Sequence, residues 1–161
     1  MDDTHFRDLM AVVPAPVTVI TTFEGQIPAG TTVSAFTSLS LSPKLILVSL
    51  DNRSSLLTQI RHERRFGVNL LAHGQGETAK RFAQANADRF AGIAWRMDHD
   101  LPRLEDIAAW IVCQLAYELP AGDHTILAGE VLAADITGDH PMVYSGRVFG
   151  ANSAEIALRV G

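Results

Sequence analysis

Apolar and polar positions along this chain follow two periods, and the switches between them mark out the elements. Phe6, Leu9, Met10 and Val13 recur three and four residues apart after Asp3-Thr4, which predicts a capped first helix. Pro14 and Pro16 end it, because proline lacks the N–H a helix needs. Val17 to Phe23 is β-branched and predicts a strand; Glu24-Gly25-Gln26 is a turn, and a second strand is expected from Ile27 to Leu41. Lys44 to Leu50 is almost continuously apolar, the pattern of a strand buried on both faces. Ser54 to Glu63 predicts a helix with Leu56, Leu57 and Ile60 on one side, followed by a strand from Phe66 to Leu71. Glu77 to Ala87 predicts a helix that turns Ala79, Phe82 and Ala83 inward. Residues 88–106 carry no regular period and are expected to be irregular. Two long strands, about 107–119 and 124–136, flank Pro120-Ala121-Gly122-Asp123, and a last strand is expected from Met142 to Phe149.

Strands dominate, turns are short and helices are few. That order predicts a mainly β fold with peripheral helices, an antiparallel barrel closed by the two long strands. No repeat or linker divides the chain, so residues 1–161 are expected to form a single domain.

Composition narrows the possibilities. Thirteen Lys and Arg against eighteen Asp and Glu give a formal net charge of −5, which argues against a nucleic-acid partner. Residues 1–80 are balanced, so the whole acidic excess lies in the second half. A single cysteine, Cys113, leaves no intrachain disulfide and no cysteine-based zinc site. No apolar run approaches the ~20 residues that span a bilayer, and Met1-Asp2-Asp3 lacks the basic start of a signal peptide. A soluble, cytoplasmic protein is the expectation, with no membrane contact and no bound metal.

Gly74-Gln75-Gly76-Glu77-Thr78-Ala79 matches the G-x-G-x-x-A dinucleotide fingerprint, and Asp98 or Asp100 stands near the distance of a ribose-binding acid. A Rossmann unit also needs a parallel strand after its helix. Residues 87–98 do not provide one, so these glycines are assigned to a turn before a helix. Three other segments suggest a ligand. Alternation puts Thr32, Ser34, Phe36, Ser38 and Ser40 on one strand face, suited to a flat ligand rich in heteroatoms or simply to water. Ser49-Leu50-Asp51-Asn52-Arg53-Ser54-Ser55 leads into a helix, whose unpaired N–H groups and hydroxyls suit a phosphate; Ser54 also reads as an ordinary helix cap. Arg53, Arg61, Arg64 and Arg65 form the one basic cluster, either an anion site or a solvated helix face. His124 follows the Gly122-Asp123 turn, where an imidazole can serve a substrate amide or merely the hairpin.

These segments, taken in order, resemble the flavin reductase-like family, the FMN-binding split barrels. Within it the chain is most similar to the small reductases of two-component flavin monooxygenases. The resemblance rests on Phe6-Arg7 with Val12-Val13-Pro14, Val17 to Thr22, Gly30 to Ser38, Leu47 to Asp51 with Ser54-Ser55, and Phe66 to Leu71 with Gln75. It continues through Arg81-Phe82-Ala83, Asp88-Arg89-Phe90, Gly122 to Ile126, Gly129 to Val131 and Val143-Tyr144. It implies a split barrel and hydride transfer from NADH or NADPH to FMN, with FAD also possible. Reduced flavin would leave for a partner monooxygenase, and the chain would form a homodimer. A non-enzymatic flavin carrier or sensor is the alternative on the same barrel. The resemblance assigns Thr31, Thr32, Val33, Ser34 and Ala35 to the flavin ring, largely through backbone groups. It assigns Ser49, Leu50, Asp51, Ser54 and Ser55 to ribityl and phosphate oxygens, Arg89 and Phe90 to the neighbourhood of phosphate and ring, and His124 to the nicotinamide as the catalytic residue. Three departures stand out: Pro16 where glycine is common, Ala35 where serine is common, and Ser42-Pro43-Lys44 for Asp-Pro-Pro.

Overall fold

The computed structural model describes residues 1–85 and 88–151. The chain runs α1 (Asp3–Val12), β1 (Ala15–Pro16), β2 (Thr18–Glu24), β3 (Ile27–Val33), β4 (Phe36–Leu41), β5 (Lys44–Asp51), α2 (Ser55–Glu63) and β6 (Arg65–Leu70). It continues through α3 (Gly76–Ala83), β7 (Trp95–Asp98), β8 (Leu101–Leu104), β9 (Ala109–Ala121), β10 (His124–Ile136), β11 (Met142–Ser145) and β12 (Val148–Ala151). Seven strands form one antiparallel sheet in the order β3-β2-β6-β9-β10-β5-β4; β1-β11-β12 and β7-β8 are smaller sheets. Among the described residues no helix is long and apolar enough to cross a membrane.

The two-residue period of the strands separates two cores. On β2, Ile20 joins one cluster while Val17, just before the strand, and Val19 join the other; on β9, Cys113 and Leu115 oppose Trp110 and Val112. The first cluster is sealed by Leu56, Leu57 and Ile60 of α2, the three residues that the helical period predicts. The second is covered by Ala79 and Phe82 of α3 and by the β7-β8 hairpin. Leu45, Ile46, Val48 and Leu50 of β5 are all buried, as an almost unbroken apolar strand requires.

Several expectations are corrected. The expected strand from Ile27 to Leu41 is two strands. Phe36 N donates to Ser34 O at 2.9 Å in a three-residue turn centred on Ala35, and Ala35 O accepts from Ser49 N at 3.1 Å. The alternation therefore does not run through. Phe36 packs on the first core, and a register shift between Ser38 and Ser40 breaks β4 again. The sheet is also not closed. The long pair β9-β10 sits in its middle, and β3 and β4 are left as its edges on either side of the Ala35 turn. Thr31 and Thr32 hydroxyls donate to Phe82 O (3.3 Å) and Ala79 O (2.6 Å), so α3 lies along the β3 side.

Helix α3 ends at Ala83, and Ala83 itself is exposed, because two turns bring only Ala79 and Phe82 to the sheet. Residues 88–106 contain the β7-β8 hairpin, turned by His99 and Asp100 at φ of 50° and 61°. The expected last strand is the β11-β12 hairpin. The glycines at 74 and 76 belong to a turn and the start of α3. Every strand pair in the described residues is antiparallel, which excludes a Rossmann unit there.

Candidate functional site

The break between β3 and β4 opens a cavity of about 250 Å3. One wall is the consecutive run Thr31, Thr32, Val33, Ser34 and Ala35. Successive strand residues point to opposite faces, so a run of five is lining the cavity with backbone as well as side chains. Val33 turns its side chain into the core, and the Thr31 and Thr32 hydroxyls are engaged with α3. The facing wall is Ser49, Leu50 and Asp51 at the end of β5, with Ser54 and His124. Asp51 and His124 are ladder partners at the last pair of β5 and β10, which is why residues 73 positions apart meet here.

A larger cavity of about 570 Å3 adjoins the first through Ser54. Ser55, Arg89 and Phe90 line it, together with Arg53, Gln59, Asp88 and the Ile27–Gly30 stretch. Ser54 occupies the N-cap position of α2 but its hydroxyl makes no bond to the helix, so the first turn's N–H groups have no side-chain cap. Arg89 is braced by Gln84 O (2.8 Å) and Gly30 O (2.6 Å), which holds a cation beside β3. Phe90 is held edge-to-face between Phe82 (4.9 Å) and Trp95 (5.6 Å); its ring belongs to the second core and only borders the cavity.

The basic cluster does not assemble. Arg61 pairs with Glu118, Arg64 with Leu115 O, and Arg65 with Asp100, so each of the three is committed to its own partner. Only Arg53 reaches the cavities, and it grips its neighbour: Arg53 Nε and Nη2 bond the two Asp51 carboxylate oxygens at 3.1 and 2.7 Å, and its N–H adds a third bond at 2.8 Å. These bonds hold the Asp51 carboxyl well below the usual carboxylate range and raise the Arg53 guanidinium. Asp51 is therefore an anion at neutral pH and Arg53 brings little free charge to the site. Beside this pair, Asp123 Oδ1 lies 2.7 Å from His124 Nδ1, and that bond lowers the Asp123 carboxyl.

Sequence reasoning passed over Asn52, which ties the β5–α2 loop to the β9-β10 turn through Gly122, Asp123 and Thr125. An Asn between Asp and Arg reads only as a turn former, and its partners lie 70 or more residues away.

The hydroxyls, backbone run and braced cation fit a ligand with a flat polar ring at one end and an anion at the other. The Flavin reductase like domain model matches residues 10–153. The chain is 33% identical over 150 residues to the reductase component of a 4-nitrophenol/4-nitrocatechol monooxygenase from Rhodococcus opacus, covering 93% of this chain and 81% of that protein. It is 35% identical to a probable flavin reductase from Rhizobium meliloti, covering 89% of this chain but only 47% of that longer protein. It superposes on the NADH:FAD oxidoreductase SgcE6 of Streptomyces globisporus, solved with NAD and FAD fragments, with a TM-score of 0.91 at 29% identity over 96% of this chain and 95% of the other. The chain belongs to the flavin reductase-like family.

Proposed function

We infer that the protein is a flavin reductase that passes hydride from NADH or NADPH to FMN or FAD and supplies the reduced flavin to a partner monooxygenase. The observation that carries this reading is Ser54, which lines both the cavity at the strand break and the larger cavity that holds Arg89. When bound, the flavin supplies an electron-accepting ring and the nicotinamide a hydride, so the protein needs to orient and not to attack. The Thr31–Ala35 backbone borders the ring and presents amide dipoles to charge that develops on it. Ser54, Ser55, the α2 N-terminus and Arg89 hold the phosphate end. His124, which lines the smaller cavity together with Ala35, orients the nicotinamide.

The same reading makes the chain half of a homodimer and places it in the cytoplasm, with the 1–161 stretch as one domain. Exposed Phe6, Leu9, Met10 and Val12 on α1, with Val13 just after it, support self-association, and a monomer mass by light scattering would refute it. A buried Cys113 with no disulfide suits a reducing compartment.

The test is NADH and NADPH oxidation by the purified protein with FMN, FAD or neither. Turnover is expected only when flavin is supplied or already bound. Tight flavin binding without turnover on either nicotinamide would replace this reading with a carrier.

A further inference from the structure

We propose that Asn52 is a positioning residue that sets His124 for the nicotinamide, by clamping the β9-β10 turn to the flavin loop. The inference rests on the flavin-reductase reading. All three polar groups of Asn52 beyond its own carbonyl point at one hairpin. Its N–H donates to Asp123 O at 3.0 Å, its Nδ2 donates to Gly122 O at 3.2 Å, and its Oδ1 accepts from Thr125 Oγ1 at 2.7 Å. Both carbonyls of the two-residue turn are thus held by one residue, and the third bond reaches Thr125, only 2% exposed, on the far side of His124.

Asn52 brackets His124 from both sides along the chain. The imidazole needs that support. Its one side-chain partner among the described residues is the Asp123 carboxylate, whose side chain is 93% exposed, and an exposed pair of this kind holds a ring only weakly. The carboxylate can only accept, so the Asp123 contact places the proton on His124 Nδ1 and leaves Nε2 as the ring's other polar atom. Asp123 can dictate that tautomer only while its backbone is fixed, and Asn52 fixes it. Asparagine is the residue that can do this: aspartate would set a carboxylate against Gly122 O, and alanine would abandon both Gly122 and Thr125.

Two measurements on Asn52→Ala, His124→Ala and the double variant test the proposal. Nitrogen-15 NMR of the ligand-free protein reads the His124 tautomer without any turnover. The nicotinamide dependence of flavin reduction, with flavin affinity alongside, reads the consequence. The wild type is expected to hold the Nδ1–H tautomer and Asn52→Ala to mix the two. The nicotinamide concentration for half-maximal reduction should rise about three- to tenfold, the equivalent of one ordinary hydrogen bond, with flavin affinity unchanged. On a His124→Ala background, Asn52→Ala should add almost nothing. Thr125→Val keeps the shape of a buried residue and removes one of the bonds, so it should shift both readouts the same way if Asn52→Ala folds poorly. A wild-type tautomer together with a wild-type nicotinamide requirement in these variants overturns the proposal, as does an Asn52→Ala effect that persists in full without His124. A protein that reduces no flavin at all would instead remove the parent reading, while the tautomer still reports the clamp.

Discussion

Asn69 and Asn52 both commit their side-chain polar atoms to neighbouring elements, but one does so inside the sheet and the other at the ligand site. Asn69 is 0% exposed. Its Nδ2 donates to Val19 O (3.1 Å) and Thr21 Oγ1 (3.2 Å), and its Oδ1 accepts from Leu104 N (2.8 Å); Thr21 in turn donates to Pro102 O (2.7 Å). This network pins β8 across β2 and β6. Arg103 of the same strand extends it, with bonds to Asp98 (2.9 Å) and Asp135 (2.7 Å); burial works against its charge, and the two carboxylates outweigh it and raise the guanidinium. The Asn52 side chain makes two such bonds and its N–H a third, yet water reaches it. The difference is what remains when the side chain is removed. Around Asn69 the orphaned groups have no solvent to turn to, so the loss falls on stability. Around the exposed Asn52 water can reach Gly122 O, and only the Thr125 hydroxyl is left buried without its partner, so more of the loss falls on where His124 points.

The contrast makes the largest expected effect a stability one. Asn69→Ala leaves Leu104 N unpaired in the interior, strips the side-chain bonds to Val19 O and Thr21 Oγ1, and should cost about 3 kcal/mol. For a chain of this size that lowers the melting temperature by roughly ten degrees, while flavin affinity in the folded protein stays near normal. A calorimetric scan that matches the wild type would break the comparison. Ser54→Ala comes next. Ser54 lines both cavities and its hydroxyl serves no helix bond, so the variant should lose about 1.5–3 kcal/mol of FMN affinity and much less for riboflavin, which has no phosphate. Equal weakening of both ligands by fluorescence titration would mean that Ser54 shapes the ring cavity and does not hold the anion. Its melt should barely move, which sharpens the division between the interior and the site.

Legibility in the sequence follows the same division. Strand β5 and helix α2 were readable because strong local signals, an unbroken apolar run and a three-four period, agreed with their tertiary burial. The β7-β8 hairpin was not. Its strands are four residues each, and its turn uses His99 and Asp100 in the left-handed region, where glycine or asparagine would have announced it. The Ala35 break was hidden because Thr and Ser continue on both sides of it, and only the bond from Ser49 shows that the chain has turned. Closure of the sheet could not be read at all, since β9 and β10 pair with each other whether the sheet is open or closed. At the site, Ser49 to Ser55 and Gly122 to His124 stood out by residue type. That they face each other depends on the β5-β10 register, a long-range fact with no local trace. Asn52 was invisible for the same reason.

The proposed reading joins the flavin loop and the His124 hairpin into one site with divided labour. The most direct measurement is anaerobic stopped-flow reduction of prebound flavin by NADH in His124→Ala, read beside a melt of the same variant. The account predicts slower reduction, or a raised nicotinamide requirement, with flavin affinity and melting temperature close to wild type. Reduction identical to wild type at every nicotinamide concentration would contradict it, and a lowered melting temperature with normal reduction would assign His124 to the hairpin turn alone.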